Sequence, residues 1–154
     1  MAKRRHKVFL DSNVILSGLL SDKGPPRVIL DILSLDLPVL SGATGQYNII
    51  EIERNLGKKM PGIIPVYRKY LPTMNLEIVP LPSPDIVKKL SKHIAAKDAP
   101  VLASAVSCKA DHLITGDKKD FSNPGLKGKF GFRIVSPSEF VEEVLPEILR
   151  LIEE

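Results

Sequence analysis

Val8-Phe9-Leu10-Asp11 is the stretch on which the fold turns. Three apolar residues in a row, without alternation and closed by an acid, describe a strand buried on both faces whose C-terminal end opens on a cleft. Downstream, Val28, Ile29, Ile32 and Leu33 recur at helical spacing after the turn residues 22–26, and Pro38-Val39-Leu40-Ser41 reads as a second strand. A β-α-β unit follows. The spacing then predicts a helix over 44–56 stopped by Gly57, a short helix within 61–72, and a strand at Leu76-Glu77-Ile78-Val79.

Ser83-Pro84 opens a further helix whose buried face is read as Ile86, Val87, Leu90 and Ile94, and another helix begins near Asp98. Leu113-Ile114-Thr115 is a strand ending at Gly116-Asp117, and Arg133-Ile134-Val135 is the last strand. Ser136-Pro137-Ser138-Glu139 has the form of a capping box ahead of a terminal helix carrying Phe140, Val141, Val144, Leu145 and Ile148, which Pro146 should kink or split. Strands alternating with helices imply a three-layer α/β/α, Rossmann-like domain, its mostly parallel sheet covered by helices on both faces.

The 154 residues, 44% hydrophobic and 26% charged, suit one domain spanning 1–154, with residues 1–6 as a basic tail. No apolar run approaches the roughly 20 residues that cross a bilayer, and the one beginning at Val8 is too short for a signal-peptide core. The expected compartment is the cytoplasm, without membrane attachment. A single cysteine, Cys108, rules out an internal disulfide and Cys-rich zinc sites, and it is read as a small apolar group in a helix. His6, His93 and His112 match no metal-ligand spacing and are expected to be structural. A net charge of +4 is compatible with a nucleic-acid partner without demanding one.

Acids carry the chemistry. In parallel sheets, reactive groups gather beyond the C-terminal ends of the strands, where strand order reverses. Asp11 and Asp117 each follow a strand, Asp98 opens a helix, and Glu51 lies on another. Any one of these aspartates also suits a turn or a helix cap. Converging, the four would form an anionic pocket relieved by a hard divalent cation, Mg²⁺ or Mn²⁺.

The segment Val8-Phe9-Leu10-Asp11-Ser12-Asn13-Val14 resembles the opening motif of PIN domains. Ile50-Glu51-Ile52-Glu53-Arg54-Asn55-Leu56 is similar to that family's acidic helix. Asp98-Ala99-Pro100-Val101-Leu102-Ala103-Ser104-Ala105, followed by Ala110 to Phe121, resembles its last two acidic motifs in order and spacing. The resemblance runs from residue 7 to about residue 140 and looks closest to the toxin branch, the VapC-like ribonucleases of toxin–antitoxin systems. It implies a metal-dependent endoribonuclease leaving 5′-phosphate and 3′-hydroxyl ends, an antitoxin partner and a homodimer. Residue by residue, Asp11, Glu51, Asp98 and Asp117 match the family's acidic quartet, while Ser12, Asn13 and Thr115 match polar positions around it. Glu53 competes with Glu51, and Asp120 is read either as an auxiliary ligand or as a cap before Phe121.

Lys118, Lys119, Lys127, Lys129 and Arg133 flank a Gly- and Pro-containing loop beside Asp117 and are expected to track an RNA backbone. Apolar positions around Ile148, Leu149 and Ile152 are read either as a dimer surface or as the face of a helix that closes the core. Two other readings stay open: a binding module that does not cleave and a structure-specific DNA nuclease. A phosphatase with an Asp nucleophile is set aside, since it requires an acid two residues after Asp11, where Asn13 stands.

Overall fold

The computed structural model describes residues 5–122 and 130–153. Five strands form one parallel sheet in the order β3-β2-β1-β4-β5: β1 His6–Leu10, β2 Leu40–Gly45, β3 Leu76–Val79, β4 His112–Ile114 and β5 Arg133–Val135. Val8 is level with Gly42 on one side and His112 on the other, so β1 is the centre of the sheet. Its residues Val8, Phe9 and Leu10 are fully buried, the physical reason for the unbroken apolar run.

Pleating sends alternate residues of β1 to different layers. Val8 and Leu10 join α1 (Ser12–Leu20), α2 (Pro25–Ser34), α3 (Gln46–Lys59) and α4 (Ile64–Tyr70) through Val14, Ile15, Ile29, Leu33, Ile52 and Tyr67. Phe9 faces the opposite layer, built from α5 (Pro84–Leu90) and α6 (Ala99–Ser107), where Leu102, Ala105 and Leu113 surround it. The three-layer α/β/α architecture is thus as expected, and its strand order reverses between β1 and β4.

Several local expectations change. Helix α3 runs past Gly57 to Lys59 and stops where Pro61 follows, since one exposed glycine costs only about 1 kcal/mol in a helix. Strand β2 starts at Leu40 and continues to Gly45. A Cβ on Gly42 would lie 2.7 Å from Leu76 and 2.8 Å from Leu33, so the small residues that look like a turn admit close packing on a strand. Ile86 is half exposed, leaving Val87 and Leu90 as the inward side of α5. The strand also begins earlier than the apolar run: the His6 N–H donates to the Val39 carbonyl, and Arg5 donates to the carbonyls of Leu37 and Leu40.

At the C-terminus the capping box forms as expected, Ser136 and Glu139 bonding reciprocally around α7 (Pro137–Glu139). A π-helical turn, Phe140–Val144, separates it from α8 (Leu145–Glu153). The Leu145 N–H reaches back to Phe140, and this wider turn accommodates Pro146, which has no N–H to give. The expected dimer surface is largely absent there: Ile148 is buried in the core, Leu149 packs against it, and Ile152 stays exposed. No helix among the described residues is long and apolar enough to cross a membrane.

Candidate active site

Strand β1 ends at Leu10, and the chain turns at Asp11 directly into α1, which sets the Asp11 carboxylate at the mouth of the sheet. Asp11 is buried and held on all sides. Its Oδ1 accepts from the Ser12 N–H at 2.7 Å and from Asn48 Nδ2 at 3.3 Å, while Oδ2 accepts from Thr115 Oγ1 at 2.8 Å. Asn48 in turn donates to Ser12 Oγ at 2.8 Å and accepts from the Gly45 N–H. Only glycine fits at 45, because a Cβ would stand 2.8 Å from Asn48 Oδ1 and 3.0 Å from Ser104 Oγ.

Burial pushes the Asp11 carboxyl up to about 6. The hydrogen bonds from Thr115 and Ser12 oppose that rise, and the nearby charges of Glu51 and Asp98 add to it.

Asp98 and Asp117 stand at helix-cap positions without capping. Asp98 precedes α6 and Asp117 precedes the 3₁₀ turn Lys118–Phe121, and neither side chain accepts a bond from its own helix. The Asp98 residue is 8% exposed, and its Oδ2 is buried without a hydrogen-bond partner. Burial raises its pKa, with Lys97 working against that rise and Asp120 and Asp117 adding to it. Asp117 is exposed; its Oδ2 accepts from Asn13 Nδ2 at 3.0 Å, and its N–H donates to Thr115 Oγ1 at 3.1 Å. Asn13 also accepts from the Gly116 N–H at 2.9 Å, stitching α1 to the end of β4.

Glu51 lies one turn beyond Asn48 on α3, on the same face. A cleft of about 170 Å³ is lined by Asp11, Ser12, Asn13, Glu51, Lys97, Asp98 and Asp117, with Leu16, Asn55 and Val101 completing its wall. Glu53 is turned away into an ion pair with Arg68 at 3.0 Å. The fold thus brings together all four expected carboxylates, and Ser12, Asn13 and Thr115 hold two of them. Asp120 lies beside this group, 3.4 Å from the Lys97 ammonium.

The basic residues are dispersed. Lys118 is paired with Glu139 at 2.9 Å and Lys119 is exposed near Asp117, whereas Arg133 opens β5 at the opposite end of the sheet, level with His112. Lys127 and Lys129 lie outside the described residues. Sequence reading missed Asn48 and Lys97. The available signal for Asn48 was its place on the inward stripe with Ile52 and Leu56, at four-residue spacing and three positions before Glu51; for Lys97, adjacency to Asp98 was the only one.

Oxygen donors of this kind suit a hard divalent cation. Asp98 Oδ2 is a buried acceptor with no hydrogen bond, the Lys97 ammonium standing 3.4 Å away, and Asp11 carries a charge that its surroundings disfavour. Among the described residues no three acidic, His or Cys side chains are already closed around one point. The four acids share one cleft, and their oxygens are donors of the kind such an ion takes.

A doubly wound parallel sheet with an acidic cleft at its switch point defines the class. The PIN domain family model matches residues 7–119, and the chain belongs to that family, whose members are generally nucleases. No curated protein matches the sequence. Among solved structures the fold resembles VapBC2 from Rickettsia felis, determined bound to a DNA fragment from their promoter. The identity is 15% and the TM-score 0.60, covering 84% of this chain and 98% of that one. It also resembles PAE2754 from Pyrobaculum aerophilum, with 14% identity and a TM-score of 0.61 over 97% of this chain and 91% of that one.

Proposed function

We propose that this protein is a divalent-metal-dependent endoribonuclease, with Asp11, Glu51, Asp98 and Asp117 as its acidic centre. The observation that carries the reading is that Asp98 and Asp117 occupy cap positions while their carboxylates go unused as caps and line the same cleft as Asp11 and Glu51. Stability alone gives no reason to gather four like charges.

Asp11, Asp98 and Asp117 would hold Mg²⁺ or Mn²⁺, directly or through water, and Glu51 would orient the attacking water. When bound, the ion supplies hydroxide near neutral pH and neutralises charge growing on the phosphate oxygens. The chain's own part is positional. Thr115, Ser12 and Asn48 keep the Asp11 carboxylate fixed and ionisable, and Asn13 keeps Asp117 facing the cleft. Lys119 beside the cleft is available to the RNA backbone.

The test is cleavage of labelled single-stranded RNA and DNA by purified protein with Mn²⁺, Mg²⁺ or EDTA. RNA should be cut only with added metal. Metal-independent cleavage would defeat the mechanism, preference for DNA would favour the DNA-nuclease reading, and no cleavage of either would favour a binding module.

Likeness to VapBC2, together with the family match, supports an antitoxin as protein partner and the cytoplasm as compartment. Self-association as a homodimer belongs to the same proposal, with the surface now sought away from the buried Ile148. A single-chain mass in solution at tens of micromolar, an order suited to weak association, would reject the dimer.

A further inference from the structure

The Lys97 ammonium lies 3.5 Å from Asp98 Oδ1, 3.4 Å from Asp98 Oδ2 and 3.4 Å from Asp120 Oδ2. These distances are long for hydrogen bonds between charged groups, which run about 2.7–2.9 Å. Lys97 therefore straddles the two carboxylates as a loosely held point charge. Its side chain is 66% exposed, so it is free to leave, while that of Asp98 is 11% exposed and is not. The arrangement places a movable cation against the one buried carboxylate oxygen of the cleft that has no hydrogen bond.

We propose that Lys97 is the resident cation of this cleft: it competes with the divalent ion for Asp98 and, once displaced, binds a phosphate oxygen of the RNA. The inference rests on the metal-dependent nuclease reading. An ammonium and a divalent ion drawn to one carboxylate repel each other, so each weakens the other's hold, and a displaced lysine within the cleft wall stands where the polyanion must enter. Lys97 then serves as a positioning residue whose loss acts on metal and substrate in opposite directions. A lysine with a merely structural role would weaken both.

The test uses the full-length protein and Lys97→Met, with Lys97→Arg as the charge-conserving control. Mn²⁺ is titrated calorimetrically into the EDTA-treated, dialysed proteins without RNA, and KM for a short single-stranded RNA is then measured at saturating Mn²⁺. Lys97→Met should bind Mn²⁺ about two- to fivefold more tightly, the range expected when a largely exposed ion pair is removed. Its KM for RNA should rise by a similar factor, while Lys97→Arg should stay near wild type in both. Unchanged or weaker Mn²⁺ binding by Lys97→Met, with saturable binding to the wild type, would overturn the role of Lys97 and leave the metal site standing. An unchanged KM would likewise overturn it. Absence of saturable Mn²⁺ binding by the wild type would overturn the metal site and, with it, this inference.

Discussion

The two ends of the sheet treat charge in opposite ways. At the N-terminal ends of the strands opposite charges are paired, although the buried His112 Nε2 has no hydrogen-bond partner: Lys7 Nζ bonds Glu77 at 2.8 Å and the Cys108 carbonyl at 3.1 Å, the Lys7 N–H bonds Asp111, and Arg5 bonds Asp36. His6 Nε2 and His112 Nδ1 share a hydrogen bond at 2.7 Å. At the C-terminal ends four acids line one cleft with Lys97 as the nearby cation. The same strands β1 and β4 serve both ends, so the imbalance is local in origin. One end pairs opposite charges, and the other gathers charges of one sign.

The sharpest way to break this comparison is to neutralise the acidic end. Asp98→Asn and Asp117→Asn should each lower RNA cleavage by at least about 100-fold, since even partners of metal ligands are worth 10–100-fold. Apo stability should stay equal or rise, because each change removes repulsion while the near-isosteric Asn keeps one oxygen acceptor. At a hundredfold excess of Mn²⁺ over its dissociation constant, the wild type should gain about 2.7 kcal/mol, with a smaller gain in the variants. Thermal unfolding with and without Mn²⁺ measures this. A variant that melts well below the apo wild type yet still cuts RNA would mean that these acids are scaffold.

The comparison sharpens with pH, because the two ends titrate in opposite senses over one window. Asp11 has its carboxyl raised to about 6 from 3.8, so the native state holds that proton more tightly; its stabilising contribution is full below about pH 4 and is lost as pH rises through 6. His112 is held down to about 4 from 6.5 by burial first and then by the charges of His6 and Arg133, against a smaller opposing effect of Asp111. Its contribution is full above about pH 6.5 and is lost as pH falls toward 4. Each amounts to roughly 3 kcal/mol. Metal-free wild type should therefore show a shallow slope between pH 4 and 6.5. Asp11→Asn should become more stable as pH rises across that range, and His112→Gln less stable. Urea titrations at a series of pH values distinguish the two, and parallel slopes in both variants would break the assignment.

How much of this was legible in the sequence follows from how local each signal is. Buried β1, the capping box at Ser136 and the four acids were readable because each is written in consecutive or fixed-offset residues. Helix α1 was left unassigned, since Val14-Ile15-Leu16 and Leu19-Leu20 make an apolar run without clear periodicity, being packed on more than one side. The extent of β2 was hidden because Gly42 and Gly45 are set by what approaches them, Leu33 and Leu76 in one case and Asn48 in the other. Arg133 looked close to Asp117 along the chain, yet the connection between β4 and β5 carries it to the far end of the sheet. Long-range placement of this kind is tertiary information. Glu51 was preferred to Glu53 only through the resemblance and the apolar neighbours Ile50 and Leu56, for a related reason: the Arg68 partner that shows where Glu53 points is remote in sequence.

The smallest expected effect tests whether the two ends are independent. Lys7 lies on β1 four residues before Asp11, and its ammonium pairs with Glu77 with side chains 27% and 49% exposed. Such a partly exposed pair is worth about 0–1 kcal/mol, and the methylenes of methionine retain much of the stem's packing. Lys7→Met should thus lower the melting temperature by no more than about 4 °C, at roughly 2–4 °C per kcal/mol for a domain of this size. RNA cleavage and Mn²⁺ affinity should be unchanged, because Val8, Phe9 and Leu10 between the two ends are fully buried and held in register by β2 and β4. A small shift at the Lys7 end has no soft element through which to reach the cleft. Loss of cleavage in Lys7→Met approaching that of Asp98→Asn, with melting nearly unaltered, would show that strand β1 transmits strain along its length and that the two ends of the sheet are one system.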